Sequence, residues 1–300
     1  MTAALIWLGQ RGRACLIAGL VAGLALPDVA QALRPWIGPL IALLLVVTGI
    51  RVGAKAAFGN LGDLRPTLTR IALFQMALPL AALGLFATTG LLTLPLALAV
   101  ALMLAAPSVT GAPNFAIMVG HDPAPGMRIL VLGTALFPLT ALPVLIVLNP
   151  GGAGALGALN LSLGLLLAIL ASVGTGFAIR RLRPTLGSAQ ATLDGIAALL
   201  LAIVVVGLMS AIGPLLRTDP GTLALWLAAA FAVNFGLVLA TLLATRSKDI
   251  ATAIYAGNRN IALFLIVLPE SVAAPLMIFI GCYQIPMYLT PVLLARLRPG

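Results

Sequence analysis

Long stretches of the chain are apolar at every position, as in Leu40 to Val47 and Ile196 to Gly207, with no polar residue at helical or strand spacing. A helix that is apolar all round is buried in protein or in lipid. A membrane-spanning barrel would instead show segments of about 10 residues alternating apolar and polar side chains, and these runs do not alternate. They predict transmembrane helices. Composition says how many: 62% of 300 residues are hydrophobic and 8% charged, against roughly 25% charged in soluble proteins, which excludes a soluble globule. A span takes about 20 apolar residues to cross roughly 30 Å of hydrocarbon. The chain therefore has material for about ten spans with short connections, and none for a separate extramembrane domain.

Gly, Pro and polar breaks place the spans at 13–32, 36–53, 67–88, 93–120, 127–148, 160–180, 190–214, 222–244, 249–269 and 273–295. Counted from a cytoplasmic N-terminus, one face receives Arg11, Arg13, Arg51, Lys55, Arg65, Arg70, Arg128, Arg180, Arg181, Arg183, Arg246, Lys248, Arg296 and Arg298. The other receives Arg34 and Arg217. This asymmetry follows the positive-inside rule and predicts a multi-pass protein of the cell inner (plasma) membrane with both termini cytoplasmic. The net charge of +10 is thereby explained by topology, and no nucleic-acid partner is expected, only the lipid bilayer. Arg11, Arg13 and the run Ala14 to Leu26, with Ala30-Gln31-Ala32 behind them, also fit a secretory leader. The later spans need a first span to set their direction, so the run is read as that span. Cys15 and Cys282 lie far apart in apolar stretches, which points to packing rather than a disulfide or a zinc site. Gly19 with Gly23 and Gly49 with Gly53 predict close helix contacts.

A repeat is visible within the ten spans. Gly111-Ala112-Pro113-Asn114-Phe115-Ala116 in the fourth matches Gly257-Asn258-Arg259-Asn260-Ile261-Ala262 in the ninth at Gly, Asn and Ala. Five spans per half, an odd number, make the two halves inverted, approximately 1–150 and 155–300 of a single transmembrane domain. Pro107, Gly111 and Pro113 in one span, and Gly257 with Asn258 and Asn260 in the other, are poor residues for a helix interior, so both helices are expected to break and cross. Unwound backbone survives at membrane depth only where protein buries it or a watery cavity meets it.

Arg259 is the most informative residue. A cation at mid-span costs about 2.5 to 3.5 kcal/mol even on the lenient insertion scale. The nearest acids, Asp249 and Glu270, are each about ten positions away, or roughly 15 Å of helix. Its guanidinium must be matched by helix C-terminal carbonyls, by a residue of another helix, or by an anionic substrate. No acid stands at mid-depth in any span, so a proton relay is unsupported. The positions expected to bind substrate or ion are Thr110, Asn114, Tyr255, Asn258, Arg259 and Asn260, with Gln75, Asn234, Tyr283 and Gln284 as candidates to line the cavity. His121 and Asp122 sit in a Pro-rich turn without a nucleophile or metal-ligand spacing, so the chain does not read as an enzyme. A non-transport membrane subunit is a weaker alternative.

These features resemble the bile acid:sodium symporter family, whose wider superfamily includes arsenite exporters and auxin efflux carriers. The resemblance runs over nearly the whole chain. It rests on the ten-span plan, on Gly49-Ile50-Arg51-Val52-Gly53 closing a short second span, on the stretch through Asn114, and on Gly257-Asn258-Arg259-Asn260. It implies a core of spans three to five and eight to ten, a panel of spans one, two, six and seven, and a small organic anion carried between them by alternating access. It also implies sodium sites built from a Ser-Asn pair, fifth-span hydroxyls, and Glu and Gln at the second crossing. Here Asn114 is kept, but those positions read Pro113, Met127, Val131, Tyr255 and Arg259. The expectation is a secondary transporter in which Arg259 stands where the family holds a cation, with no cofactor and with altered or absent sodium sites. The alternative is a sodium-independent exporter or uniporter like the auxin efflux carriers.

Overall fold

The computed structural model describes residues 2–58, 64–150 and 152–295, apart from the side chains of Arg13 and of residues 54–58. Of the basic residues counted to one face, Arg296 and Arg298 lie outside the described residues, as do the side chains of Arg13 and Lys55. The helices are α1 (Thr2–Gln10), α2 (Gly12–Ala25), α3 (Pro27–Leu33), α4 (Ile37–Phe58), α5 (Leu64–Ala72), α6 (Leu78–Thr88) and α7 (Pro95–Ala105). They continue with α8 (Ala112–Met118), α9 (Ala124–Leu148), α10 (Gly154–Leu182), α11 (Gln190–Thr218), α12 (Pro220–Ala244), α13 (Ile250–Gly257) and α14 (Glu270–Ala295). A 3-10 turn, Arg34–Trp36, joins α3 to α4, a π turn, Leu73–Ala77, joins α5 to α6, and a 3-10 helix, Ile261–Ile266, follows α13. No β-strand occurs among the described residues.

Among the described residues seven helical stretches are long and apolar enough to cross a membrane: Pro27–Gly53, Leu64–Thr88, α9, α10, α11, α12 and α14. Thr2–Gln10 and Ala14–Ala25 form a further apolar pair bent by 90°. The protein is thus all-α and of the multi-pass membrane class. Its surface agrees: Leu156, Leu159, Leu163, Leu167 and Leu170 recur at helical spacing along α10, with Leu156 70% and Leu167 66% exposed. In water such a stripe would be an aggregation surface, whereas hydrocarbon leaves it at no disadvantage.

The first apolar run differs from its expected bounds of 13–32. It stops at Ala25, and a new helix starts at Pro27. Proline pushes the residue before it out of the helical region, and Leu26 sits at φ −121°, ψ 70°.

The expected close contacts are present, with one change of role. A Cβ added to Gly19 would lie 2.7 Å from the Ala202 carbonyl oxygen and one on Gly23 would lie 2.6 Å from Met209 Cβ, so α2 lies tight on α11. One on Gly49 would lie 2.8 Å from the Val173 oxygen, bringing α4 onto α10. Gly53 instead makes a kink inside α4, at φ 70°, ψ 154°. Carbonyls around the kink lose helical partners, and Arg180 of α10 donates from Nη1 to Ile50 O at 2.9 Å and Arg51 O at 2.7 Å. Ion pairs among the described residues tie further elements together, including Arg34 with Glu270, Arg51 with Asp194 at 3.0 Å, and Arg70 with Asp249 at 2.8 Å.

Candidate functional site

Two helices are interrupted where the sequence predicts it. Pro107 drives Ala106 into extended backbone (φ −66°, ψ 152°), which ends α7, and the chain re-enters a helix only at Ala112, with Pro113 in its first turn. Asn258 is likewise extended (φ −118°, ψ 94°) and ends α13. The two unwound segments lie antiparallel, bridged at Ser108 and Arg259. Val109 N–H donates to Asn258 O at 3.0 Å and Asn260 N–H to Pro107 O at 2.8 Å. Each break therefore satisfies backbone groups that the other frees, which hydrocarbon could not do.

Side chains satisfy what remains at the second break. Asn234 Nδ2 and the Tyr283 hydroxyl both donate to Gly257 O, and the Tyr283 oxygen accepts from Arg259 N–H at 3.1 Å. Asn234 Oδ1 accepts from Thr290 Oγ1 at 3.0 Å, and Asn258 Nδ2 donates to Ile254 O at 2.8 Å. Asn234, Asn258 and Tyr283 are fully buried. A Cβ on Gly257 would lie 2.3 Å from Val238 Cγ2 and 2.6 Å from Asn234 O, so this approach is open only to glycine.

The Arg259 side chain is only 1% exposed. Its Nε donates to Ala256 O at 3.1 Å, Nη1 to Ala106 O at 2.9 Å and Nη2 to Phe74 O at 3.3 Å. Ala256 and Ala106 stand at the C-terminal ends of α13 and α7, where the helix dipole is negative. The Phe74 carbonyl is free for a different reason. In the π turn Leu78 N–H bonds Leu73 O, so Phe74 O falls to residue 79, and Pro79 has no N–H. The guanidinium also lies 4.2 Å from the Tyr255 ring centroid and 5.4 Å from that of Phe74. Of the partners left open by the sequence, the structure supplies carbonyls, two from helix ends and one from the π turn, and two aromatic faces. The planar fork of arginine spans all three acceptors, which an ammonium could not do.

Beside the first break lies a cavity of about 630 Å³, within the range of small-molecule sites. Thr110 and Asn114 line it, facing Leu44, Thr48 and Arg51 of α4, Gln10, Arg11 and Leu16 at the bend between α1 and α2, and Asp194 and Leu201 of α11. At the opposite end of α4 a second cavity of about 450 Å³ is lined by Gly38, Leu265 and Ile266, with the paired Arg34 and Glu270 among its walls.

The expected site residues thus separate. Thr110 and Asn114 face the cavity. Tyr255, Asn258 and Arg259 are buried at the crossing, and Asn260, half-buried, contributes its N–H to the backbone pairing. The four candidate lining residues do not line the 630 Å³ cavity. Gln75 Oε1 accepts from Thr140 Oγ1 at 3.0 Å, Asn234 and Tyr283 hold Gly257, and Gln284 donates to Ile280 O and accepts from the Tyr288 hydroxyl. Asn234, Tyr283 and Gln284 donate to backbone carbonyls, as polar side chains at membrane depth commonly do, whereas Gln75 pairs with the Thr140 side chain and leaves its Nε2 without a partner. Arg11, Arg51, Thr48 and Asp194 were not expected at the site. In the sequence the two arginines were read as topology charges, with Arg51 also part of the stretch that closes the second span, and neither as a site residue. Among the described residues no three His, Cys, Asp or Glu side chains come together to hold a metal ion. Neither protein-family models nor curated proteins give a match to the chain.

Proposed function

We propose that this chain is a secondary carrier of small organic anions that crosses the inner membrane ten times, as two inverted five-helix halves with both termini cytoplasmic. The observation that carries the reading is the antiparallel pairing of two broken helices beside a 630 Å³ cavity. Discontinuous helices at matching places of two halves mark the substrate region in many carriers. The first half comprises the α1–α2 pair, α3–α4, α5–α6, α7–α8 and α9. The second comprises α10, α11, α12, α13 with its 3-10 helix, and α14. In this scheme the panel is α1–α4, α10 and α11, and the rest is core. Packing is consistent with the grouping in that α1 and α2 lie on α11, α4 on α10, α12 on α13 and α14, and α5 and α8 on α9, while core and panel meet where α9 lies on α10 and α14 on α11. The cavity lies between panel residues Thr48 and Arg51 and core residues Thr110 and Asn114, where motion of core against panel would open and close it.

Arg259 supports a carrier that does not use sodium at the crossing. Its guanidinium already neutralises the carbonyl ends that would otherwise attract a bound cation, and it would repel one.

The test is uptake of a radiolabelled panel of small carboxylates into proteoliposomes, in sodium and in sodium-free choline buffer. The reading expects counterflow of at least one carboxylate at equal rates in both. Uptake abolished without sodium and restored by it would overturn the sodium-independent part, and no counterflow of any anion would overturn the carrier.

A further inference from the structure

The cavity beside the first break carries an uneven charge set. Arg51 Nε pairs with Asp194 Oδ1 at 3.0 Å, across α4 and α11. The Arg51 backbone is anchored there, since its carbonyl accepts from Arg180 and from Gln190 Nε2 at 3.1 Å, and the pairing of its guanidinium with Asp194 is an ion contact. Among the described residues Arg11 has no carboxylate partner, and its guanidinium lies over the Trp7 ring, 4.4 Å from the centroid. Among the described side chains two guanidinium groups and one carboxylate leave one positive charge of the lining without a carboxylate. Around them the walls are mixed: Gln10, Thr48, Thr110 and Asn114 offer hydrogen bonds, and Leu16, Leu44, Phe115 and Leu201 offer apolar surface.

We propose that this balance selects organic anions with a single negative charge and an apolar body. Arg11 engages the anionic group, and Asp194 is the residue that rejects a second one. The inference rests on the carrier reading above and assigns its charge specificity. One carboxylate finds one free guanidinium. A second carboxylate on the same ligand must either approach Asp194, which repels it, or lie against the leucines, which leave it unsolvated. Arg51 offers no second site while Asp194 holds it.

The experiment is thermal stabilisation of the purified full-length protein titrated with hexanoate, adipate and hexanamide, which share a six-carbon chain and carry one, two and no charges. Stabilisation by mass action gives an apparent affinity for each. Wild type is expected to bind hexanoate about tenfold more tightly than adipate, and hexanamide more weakly than hexanoate. Asp194→Asn frees Arg51 and should bring adipate to parity with hexanoate or beyond. Arg11→Gln should weaken hexanoate about tenfold and leave hexanamide unchanged. An Asp194→Asn protein with the wild-type preference, an Arg11→Gln protein that binds hexanoate normally, or no binding of any of the three overturns the inference. If Asp194→Asn does not fold, the Arg11→Gln comparison decides alone. Counterflow of some other anion in the proteoliposome assay would leave the carrier reading standing after such a failure, so the two are separable.

Discussion

The break between α7 and α8 and the break after α13 share the same pair of backbone hydrogen bonds, yet their side chains meet opposite surroundings. At the second, Asn258 and Arg259 are buried at 0% and 1% exposure, and Asn234, Tyr283 and three carbonyls complete their bonding. At the first, Asn114 is exposed to the cavity and Thr110 partly so. At the second break the Asn258 and Arg259 side chains bond within the protein, with the Tyr255 hydroxyl beside them buried and unpartnered; at the first, Asn114 stays open to the cavity. The repeat in the sequence therefore marks a shared backbone device rather than a shared role, and one arginine makes the difference.

The largest expected break of that contrast is Arg259→Gln. It leaves buried carbonyls of Ala106 and Phe74 without a cation, and removing one partner of a buried charged arrangement costs about 3 to 5 kcal/mol. A large drop in the melting temperature of purified protein is expected, and Arg259→Lys should recover only part of it because an ammonium lacks the fork. A melting temperature for Arg259→Gln within a degree of wild type would show that the guanidinium is not what holds the crossing. Gly257→Ala comes next, since its Cβ would press on Val238 and on the Asn234 backbone, an overpacking worth about 1 to 3 kcal/mol. The matching Gly111→Ala meets only the Phe115 ring, at 3.5 Å, and should be close to neutral. Equal losses at the two glycines would remove the asymmetry. The smallest effect on stability is expected for Asn114→Ala, within about 0.5 kcal/mol as for other exposed sites. Asn258→Ala should cost more, about 1 kcal/mol, because it removes side-chain bonds to Ile254 O and from Asn234 Nδ2, although Ile254 O keeps the Asn258 N–H and Asn234 Nδ2 keeps Gly257 O. The reverse order, measured by thermal unfolding, would exchange the roles of the two breaks.

Much of the fold could be read in the chain because proline and glycine act locally. Pro107 and Pro113 located one break, Gly257 the other, and the apolar runs gave the long helices. Arg259 stood out as an anomaly, but its partners did not, because backbone carbonyls are carried by every residue and only the fold decides which become free. Phe74 O is free because Pro79 lies in register with it, a relation that appears only once the π turn forms. Pro27 was passed over within a continuous apolar run, so the first span was drawn too long. The cavity was half legible. Asn114 follows from the repeat, but Arg11 and Arg51 were explained by topology, and Asp194 gave no signal until α4 and α11 were packed together.

The contrast between the breaks is tested most directly by thiol labelling in a background where Cys15 and Cys282 are replaced by serine. Asn114→Cys and Asn258→Cys would each be exposed, in sealed proteoliposomes, to a membrane-impermeant thiol reagent. Asn114→Cys is expected to label readily from the face that carries Arg11 and Arg51, and Asn258→Cys, in protein that elutes as wild type does, to stay unlabelled. Labelling of Asn258→Cys at the rate of Asn114→Cys would contradict the account, since the second break would then be open to water and Arg259 would not be sealed within it.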